Sequence, residues 1–335
     1  MRPVLAALTS DPEGPDQVVV VDNASSDDTI AVVKDYAFDL VESEDNVGFA
    51  AACHLGSDTA VNPTLVFLGH DTVPENGWLP PLLAALEEPG VGAAMATIVD
   101  ADRPGYFNTS GGHLTYFGLA WVSDFGQPVP SESGNIAVDF ASGGAMAIRR
   151  SLWQRLGGFR AQFFMYHEDT DLGWRIRLAG FGSVRVAESR VNHHYEFGRH
   201  GRKLEWLERN RILMIMSNYR PATLWVLAPV LLLVELGVVA IAIRHGWLPS
   251  KLRSWKGAWN ARRYIPVWRA EVEGIRSVPD SVLIATMDHR VSTAPQMVPG
   301  FAARLADALF GAYRSLAVRI VRLIERRRRL DDVQG

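Results

Sequence analysis

Apolar runs and helix-length stretches alternate through the first half of the chain. Residues 18–21 are four valines running into Asp22-Asn23, a pattern that predicts a buried parallel strand ending in a polar loop. The carboxyl edge of such a strand is where open α/β sheets bind ligands. The same periodicity predicts a helix from Asp28, a short strand over 39–42, a helix over 49–59 and a buried strand over 65–68. Strand and helix in alternation assign the α/β class. Between about 92 and 140 the pattern breaks into short extended pieces interrupted by Gly, Pro, Asn and Ser, with Phe107, Tyr116, Phe117 and Trp121 interspersed. A smaller mixed region is expected there. Helical spacing returns at 168–180, with Leu172, Ile176 and Ala179 on one face and Asp169 or Thr170 placed to cap it.

Past residue 200 the pattern changes. Arg199, Arg202, Lys203, Arg209, Arg211 and Arg220 lead into an apolar stretch at 222–243. Its 22 residues would extend about 33 Å as a helix, against a hydrocarbon core of roughly 30 Å. Pro229, a central Glu235 and basic residues on both flanks argue against a simple span, so a re-entrant or in-plane helix competes with it. The last stretch, 301–329, alternates apolar and Arg positions at helical spacing and ends in four arginines, a composition suited to an anionic bilayer surface or to a solvated basic helix.

Composition narrows the function. With 335 residues, 48% of them hydrophobic, the chain can bury one large core and carry an appendage. A net charge of -3 argues against nucleic acid as a partner. The single cysteine, Cys53, excludes an intramolecular disulfide and a thiolate zinc site. No Gly-x-Gly-x-x-Gly follows the valine strand and no Walker-type loop occurs, which disfavours dinucleotide oxidoreductases and P-loop enzymes.

The residues suited to chemistry sit at predicted strand ends and at one helix start. Asp22 would face the ligand crevice, where its carboxylate can accept hydrogen bonds from a base or ribose; the alternative is a local Asx-turn. Asn46 and Gly48 precede a helix, where a small residue lets a ligand approach the backbone. Asp71, at the end of the 65–68 strand, suits a hard divalent cation bridging two phosphates. Glu168, Asp169 and Asp171 crowd behind an aromatic run, where burial and mutual repulsion make carboxylates candidates for general-base work. His193 or His194, after another short strand, could complete a metal shell, and Gly143-Gly144 would admit a sugar close to a strand backbone.

Taken in order, the strand and Asp-Asn-x-Ser-x-Asp loop at 18–28, the Asn-x-Gly-Phe-Ala run at 46–50, Gly-Gly-Phe followed by Phe-Phe-x-Tyr-x-Glu-Asp-x-Asp at 157–171, and Arg-Asn at 209–210 resemble glycosyltransferase family 2. The likeness covers about 17–215 and is nearest the family's bacterial rhamnosyltransferase-like branch. It implies a GT-A fold, a Rossmann-like mixed sheet flanked by helices, and inverting transfer from a nucleotide sugar. On that resemblance Asp22, Asn23, Ser25, Asn46, Gly48, Asp71, Gly143 and Gly144 would bind a dTDP- or UDP-sugar. Asp71 and His193 would hold Mg2+ or Mn2+. Asp169 would be the catalytic base beside Glu168, and Asp171 and Trp174 would meet a glycan or polyprenyl-linked acceptor, with the 92–140 region as its platform.

The implied organisation is a GT-A domain over 1–200, a connecting basic helix over 201–221, a transmembrane or re-entrant segment over 222–243 and amphipathic basic helices over 244–335. That places the chain at the cytoplasmic face of a membrane. Three departures from the family pattern stand out. Gly69 and His70 precede Asp71 where the family carries Asn or Asp two positions before it, and His54 replaces an Asn. The family's opening strand is also missing, so residues 3–9 are expected to be the end of its first helix. These departures motivate a second reading, an inactive sugar-binding or scaffold protein at the membrane.

Overall fold

The computed structural model describes residues 1–194, 201–292 and 300–334, so Arg199 lies outside the described residues. In chain order, α1 (Arg2–Ser10), β1 (Val19–Asp22), α2 (Thr29–Lys34), β2 (Asp39–Glu42), α3 (Gly48–Thr59), β3 (Thr64–Leu68), β4 (Thr72–Pro74), α4 (Leu79–Glu87) and β5 (Val91–Asp100) follow one another. Next come β6 (Phe107–Thr109), β7 (Gly112–Leu114), β8 (Ala120–Val122), β9 (Asn135–Val138), β10 (Ala145–Arg149), α5 (Arg150–Leu156), α6 (Glu168–Leu178) and β11 (Gly182–His193). Helices fill the remainder: α7 (Lys203–Asn218), α8 (Pro221–Arg244), α9 (Leu248–Ala261), α10 (Ile265–Ile275), α11 (Asp280–Thr286) and α12 (Gly300–Gln334).

The chain divides into two compact units. The first comprises Met1–His113, Val122–Ile176 and Phe181–Arg199; the second comprises Leu114–Trp121, Arg177–Gly180 and His200–Gly335. In the first unit, β1 and β2 pair in parallel as a two-stranded sheet, and a seven-stranded mixed sheet runs β3-β10-β5-β11-β4, with β6 on β5 and β9 on β11. β10 is antiparallel to both its neighbours, whereas β5 and β11 are parallel. This is the mixed α/β sheet that the alternating pattern predicts.

The 92–140 region departs from expectation at its start. Val91–Asp100 is a single ten-residue strand, buried along nearly its whole length at the centre of the sheet. Its run of small residues, Ala93, Ala94 and Ala96, lets flanking layers approach closely, and a Cβ at Gly92 would fall 2.8 Å from both Ile176 and Phe181. Small residues that read as a broken pattern in sequence thus form a closely packed, fully buried part of the core. β11 is likewise long, with a register break between Val186 and Arg190, so its first half pairs with β9 and its last three residues with β4. That break aims the end of the strand at the candidate site.

In the second unit, α8 packs against α9 and α12, and α7 against α9 and α10. The apolar stretch predicted at 222–243 is one continuous helix, with Pro229 inside it.

Candidate active site

The first unit gathers the expected residues at strand ends and at the N-terminus of α6. At the end of β1, Asp22 is 3% exposed and accepts the Ser25 amide at 3.2 Å through Oδ2. Both sequence alternatives therefore coexist: Oδ2 closes an Asx-turn, while Oδ1 is buried without a hydrogen-bond partner. An orphaned carboxylate oxygen at a strand end is a ready acceptor for an incoming donor. Ala24 bends the loop at φ 58°. Asn23 then ties it to the next element, its Oδ1 accepting the Val47 amide at 2.9 Å and its Nδ2 donating to Asn46 Oδ1 at 3.2 Å. Asn46 Oδ1 also accepts the Gly48 amide at 3.0 Å, so hydrogen bonds tie the loop after β1 to the start of α3.

Gly48 is required twice over. Its φ is +83°, and a Cβ there would lie 2.5 Å from the ring and carbonyl of Phe164. Phe164 in turn opens a strained segment: Phe164, Tyr166 and His167 have φ of 64°, 70° and 65°. Three non-glycine residues in the left-handed region store free energy of order 1–3 kcal/mol each, and such strain collects at functional sites. The segment delivers Glu168 and Asp169 to the first turn of α6.

Asp169 is held from both sides. Oδ2 accepts the Gly143 amide at 3.2 Å, and Oδ1 accepts the Thr170 amide at 2.6 Å and its hydroxyl at 3.2 Å. Burial nevertheless dominates and raises its pKa above the ordinary aspartate value. Glu168 is raised further, by burial first and then by the neighbouring Asp169 charge, and its Oε2 is buried without a partner. Two adjacent carboxyls, both raised by burial and one with an unpartnered oxygen, are suited to holding a proton.

Across the site, β4 and β11 pair so that Thr72 stands opposite His193. That register brings His193 Nε2 within 3.4 Å of Asp71 Oδ1. Burial works against the Asp71 charge, but the hydrogen bond to His193 and the charges of His70 and His193 outweigh it, drawing the pKa down to about 2. His193 Nδ1 meets Asn108 Oδ1 at 3.0 Å. With Nδ1–H donating to Asn108, Nε2 turns its lone pair toward the carboxylate, a pairing that calls for a proton or a cation between the two. Among the described residues no cluster of three or more His, Cys, Asp or Glu side chains has metal-binding geometry. Asp71 and His193 would supply one oxygen and one nitrogen donor to a divalent ion.

Several expectations are corrected. Gly143 and Gly144 lie in the turn before β10, not on the strand; the Gly144 carbonyl accepts the Gly69 amide at 2.9 Å, joining that turn to the loop that carries Asp71. Asp171 was expected at the acceptor but is fully buried in ion pairs with Arg160 at 3.2 Å and Arg175 at 2.8 Å. Arg175 also donates to the Leu156 and Gly158 carbonyls, so this carboxylate anchors α6 to the turn before the strained segment. Trp174 is likewise fully buried, its ring belonging to the core because it falls on the inner face of α6. His54 donates its Nε2–H to the Phe159 carbonyl at 2.6 Å and packs on Trp153, so it serves as a structural post between α3 and the turn after α5. Asn108, Arg160 and Arg175 were missed by sequence reasoning, because an isolated Asn or Arg carries no periodic or motif signal.

A mixed α/β sheet flanked by helices, with acids at the ends of strands and at the start of α6, is the GT-A architecture of glycosyltransferases. The chain belongs to glycosyl transferase family 2, whose family model matches residues 1–157. It is 32% identical over 225 residues to N-acetylglucosaminyl-diphospho-decaprenol L-rhamnosyltransferase from two Mycobacterium tuberculosis strains, CDC 1551 / Oshkosh and ATCC 25618 / H37Rv. That match covers 57% of this chain and 70% of each relative. Among solved structures, GalNAc-T7 with UDP, GalNAc and Mn2+ superposes with a TM-score of 0.51 at 16% identity, a likeness of fold. It covers 61% of this chain, which spans 42% of that one. Membership of an enzyme family sets aside the scaffold reading.

Proposed function

We propose that this chain transfers a sugar, L-rhamnose on the pattern of its mycobacterial relatives, from a dTDP- or UDP-linked donor to a hydroxyl of a polyprenyl-linked glycan, with inversion. The observation that carries the reading is the Glu168–Asp169 pair: one carboxyl fixed by the Gly143 amide, both raised in pKa at the N-terminus of α6. Asp169 accepts the proton of the acceptor hydroxyl as that oxygen attacks the anomeric carbon in line, and Glu168 beside it keeps the pair's affinity for a proton high. The orphaned Asp22 Oδ1 accepts a donor from the nucleotide, and the Asn23–Asn46–Gly48 network holds the neighbouring backbone for close approach, with Ser25 fixing the loop. At Gly143 a Cβ would fall 3.2 Å from Phe49, so glycine there lets the backbone amide come close enough to hold Asp169, and we assign Gly143 and Gly144 to the donor side of the site.

Asp71 and His193 would hold Mg2+ or Mn2+, which would offset the charge growing on the departing nucleoside diphosphate. A placement at the cytoplasmic face of a membrane accords with the apolar helix α8, the one described helix long and apolar enough to cross a bilayer, and with the lipid-linked acceptor in the relatives' name. The domain plan of a catalytic region to residue 200 followed by membrane-associating helices belongs to the same proposal.

The test is isothermal titration of dTDP and UDP into the purified chain with and without Mn2+. Binding that strengthens with the ion, and loses that dependence in Asp71→Ala, supports the reading. Absence of nucleotide binding under every condition overturns it.

A further inference from the structure

The second unit carries a charge cluster that fixes how α8 meets a bilayer. Glu235 lies about 21 Å along α8 from Pro221 and about 14 Å from Arg244, so a spanning α8 would hold it near the midplane of the roughly 30 Å core. Its carboxylate is engaged by Lys251 Nζ at 2.6 Å, by the Arg211 guanidinium and by Trp255 Nε1. Lys251 is 0% exposed and also pairs with Glu208 at 2.5 Å, which Arg211 meets at 2.8 Å. Two carboxylates and two cations from α7, α8 and α9 thus neutralise one another in a single buried cluster.

That cluster conflicts with a span. α7 and α9 have 16 and 14 residues, about 24 and 21 Å of helix, and are too short to cross with α8. They also carry Lys203, Glu205, Arg209, Arg253 and Lys256. Placing Glu235 at mid-bilayer would draw its two cationic partners, the Glu208 that pairs with them, and these polar helices into hydrocarbon, against a steep desolvation penalty.

The surface left outside is apolar and basic. On α8, Trp225, Leu232, Leu236 and Ile243 are 81%, 62%, 59% and 61% exposed and recur on one helical face, opposite the buried Leu227, Val230, Val234 and Val238. On α12, Phe301, Leu305, Leu309, Leu316 and Leu323 are exposed, and Arg304, Arg319, Arg322 and Arg326 are exposed along the same helix. Tyr313 of α12 donates to the Val226 carbonyl of α8 at 2.5 Å, binding the two helices together. Apolar stripes edged by arginines complement an anionic lipid surface.

We propose that α8 lies in the plane of an anionic membrane rather than crossing it, held there by the Glu235–Lys251–Arg211–Glu208 cluster, with α12 as its basic companion. This deepens the membrane placement proposed above and rests on it. The test uses the full chain in a Cys53→Ser background, with Ala222→Cys at one end of α8 and His245→Cys at the other, in sealed inverted vesicles treated with a membrane-impermeant maleimide. Labelling of both ends without detergent is expected; protection of either end overturns the inference in favour of a span. In parallel, the purified chain should bind phosphatidylcholine vesicles containing phosphatidylglycerol, weaken about tenfold or more on phosphatidylcholine alone, and weaken likewise in the triple variant Trp225→Glu, Leu232→Glu, Leu236→Glu. Concentration-dependent dimerisation abolished by that variant, with no lipid dependence, assigns the face to a second copy and overturns the proposal. Nucleotide titration on the same samples separates either failure from a failure of the transferase reading.

Discussion

At the residue scale, the site gathers carboxyls whose surroundings pull them in opposite directions, Glu168 and Asp169 upward and Asp71 downward. Asp169→Asn keeps the volume and an oxygen for the Gly143 amide but cannot take a proton, so kcat should fall about 10²- to 10⁴-fold with nucleotide affinity unchanged. The wild-type rate should show an acidic limb above the ordinary aspartate range, because burial raises the Asp169 pKa. Glu168 behaves as a stability probe. Its folded pKa lies above its unfolded one, so its contribution to stability declines as pH rises from the unfolded value through the folded value. Glu168→Gln should therefore raise the urea midpoint at neutral pH, with the difference vanishing below the ordinary carboxylate range. Asp71 has the opposite sign: its folded pKa is drawn down to about 2, so its contribution is present above the ordinary aspartate value and is lost as pH falls toward 2. Gly48→Ala, forced to φ +83° against Phe164, should cost about 2 kcal/mol or more by urea unfolding.

At the scale of elements, α6 shows what sequence does and does not reveal. Its start at Glu168 and the buried Leu172 and Ile176 were legible from 3.6-residue spacing. The side chain of Asp171 was not, because its partners Arg160 and Arg175 are set by packing of the preceding turn and by helical spacing that any exposed pair would share. Asp171→Asn leaves two buried guanidiniums short of their counter-charge, and a loss of about 3–5 kcal/mol is expected in denaturant unfolding. Strand β5 was obscured because alanines carry little hydrophobic signal, although small residues are what its crowded central place requires. The strand ends bearing Asp22 and Asp71 were legible, since a valine or leucine run stopping at an acid is a local pattern. The Asp71–His193 contact depends on the β4–β11 register, a long-range pairing that no window of sequence contains.

At the scale of the whole molecule, the chain is a family 2 glycosyltransferase, and the proposal is that its chemistry turns on Asp169. The first unit holds every candidate residue for donor and proton transfer, and the second holds the buried charge cluster and the arginine-edged apolar stripes. The direct measurement is the pH–rate profile for transfer from dTDP-L-rhamnose to a polyprenyl diphosphate-linked N-acetylglucosamine, comparing the intact chain with Asp169→Asn at saturating donor and Mn2+. Turnover with an acidic limb is expected in the intact chain, and a variant at least about a hundredfold slower whose residual rate has lost that limb. A variant that retains both the rate and the limb would contradict the proposal.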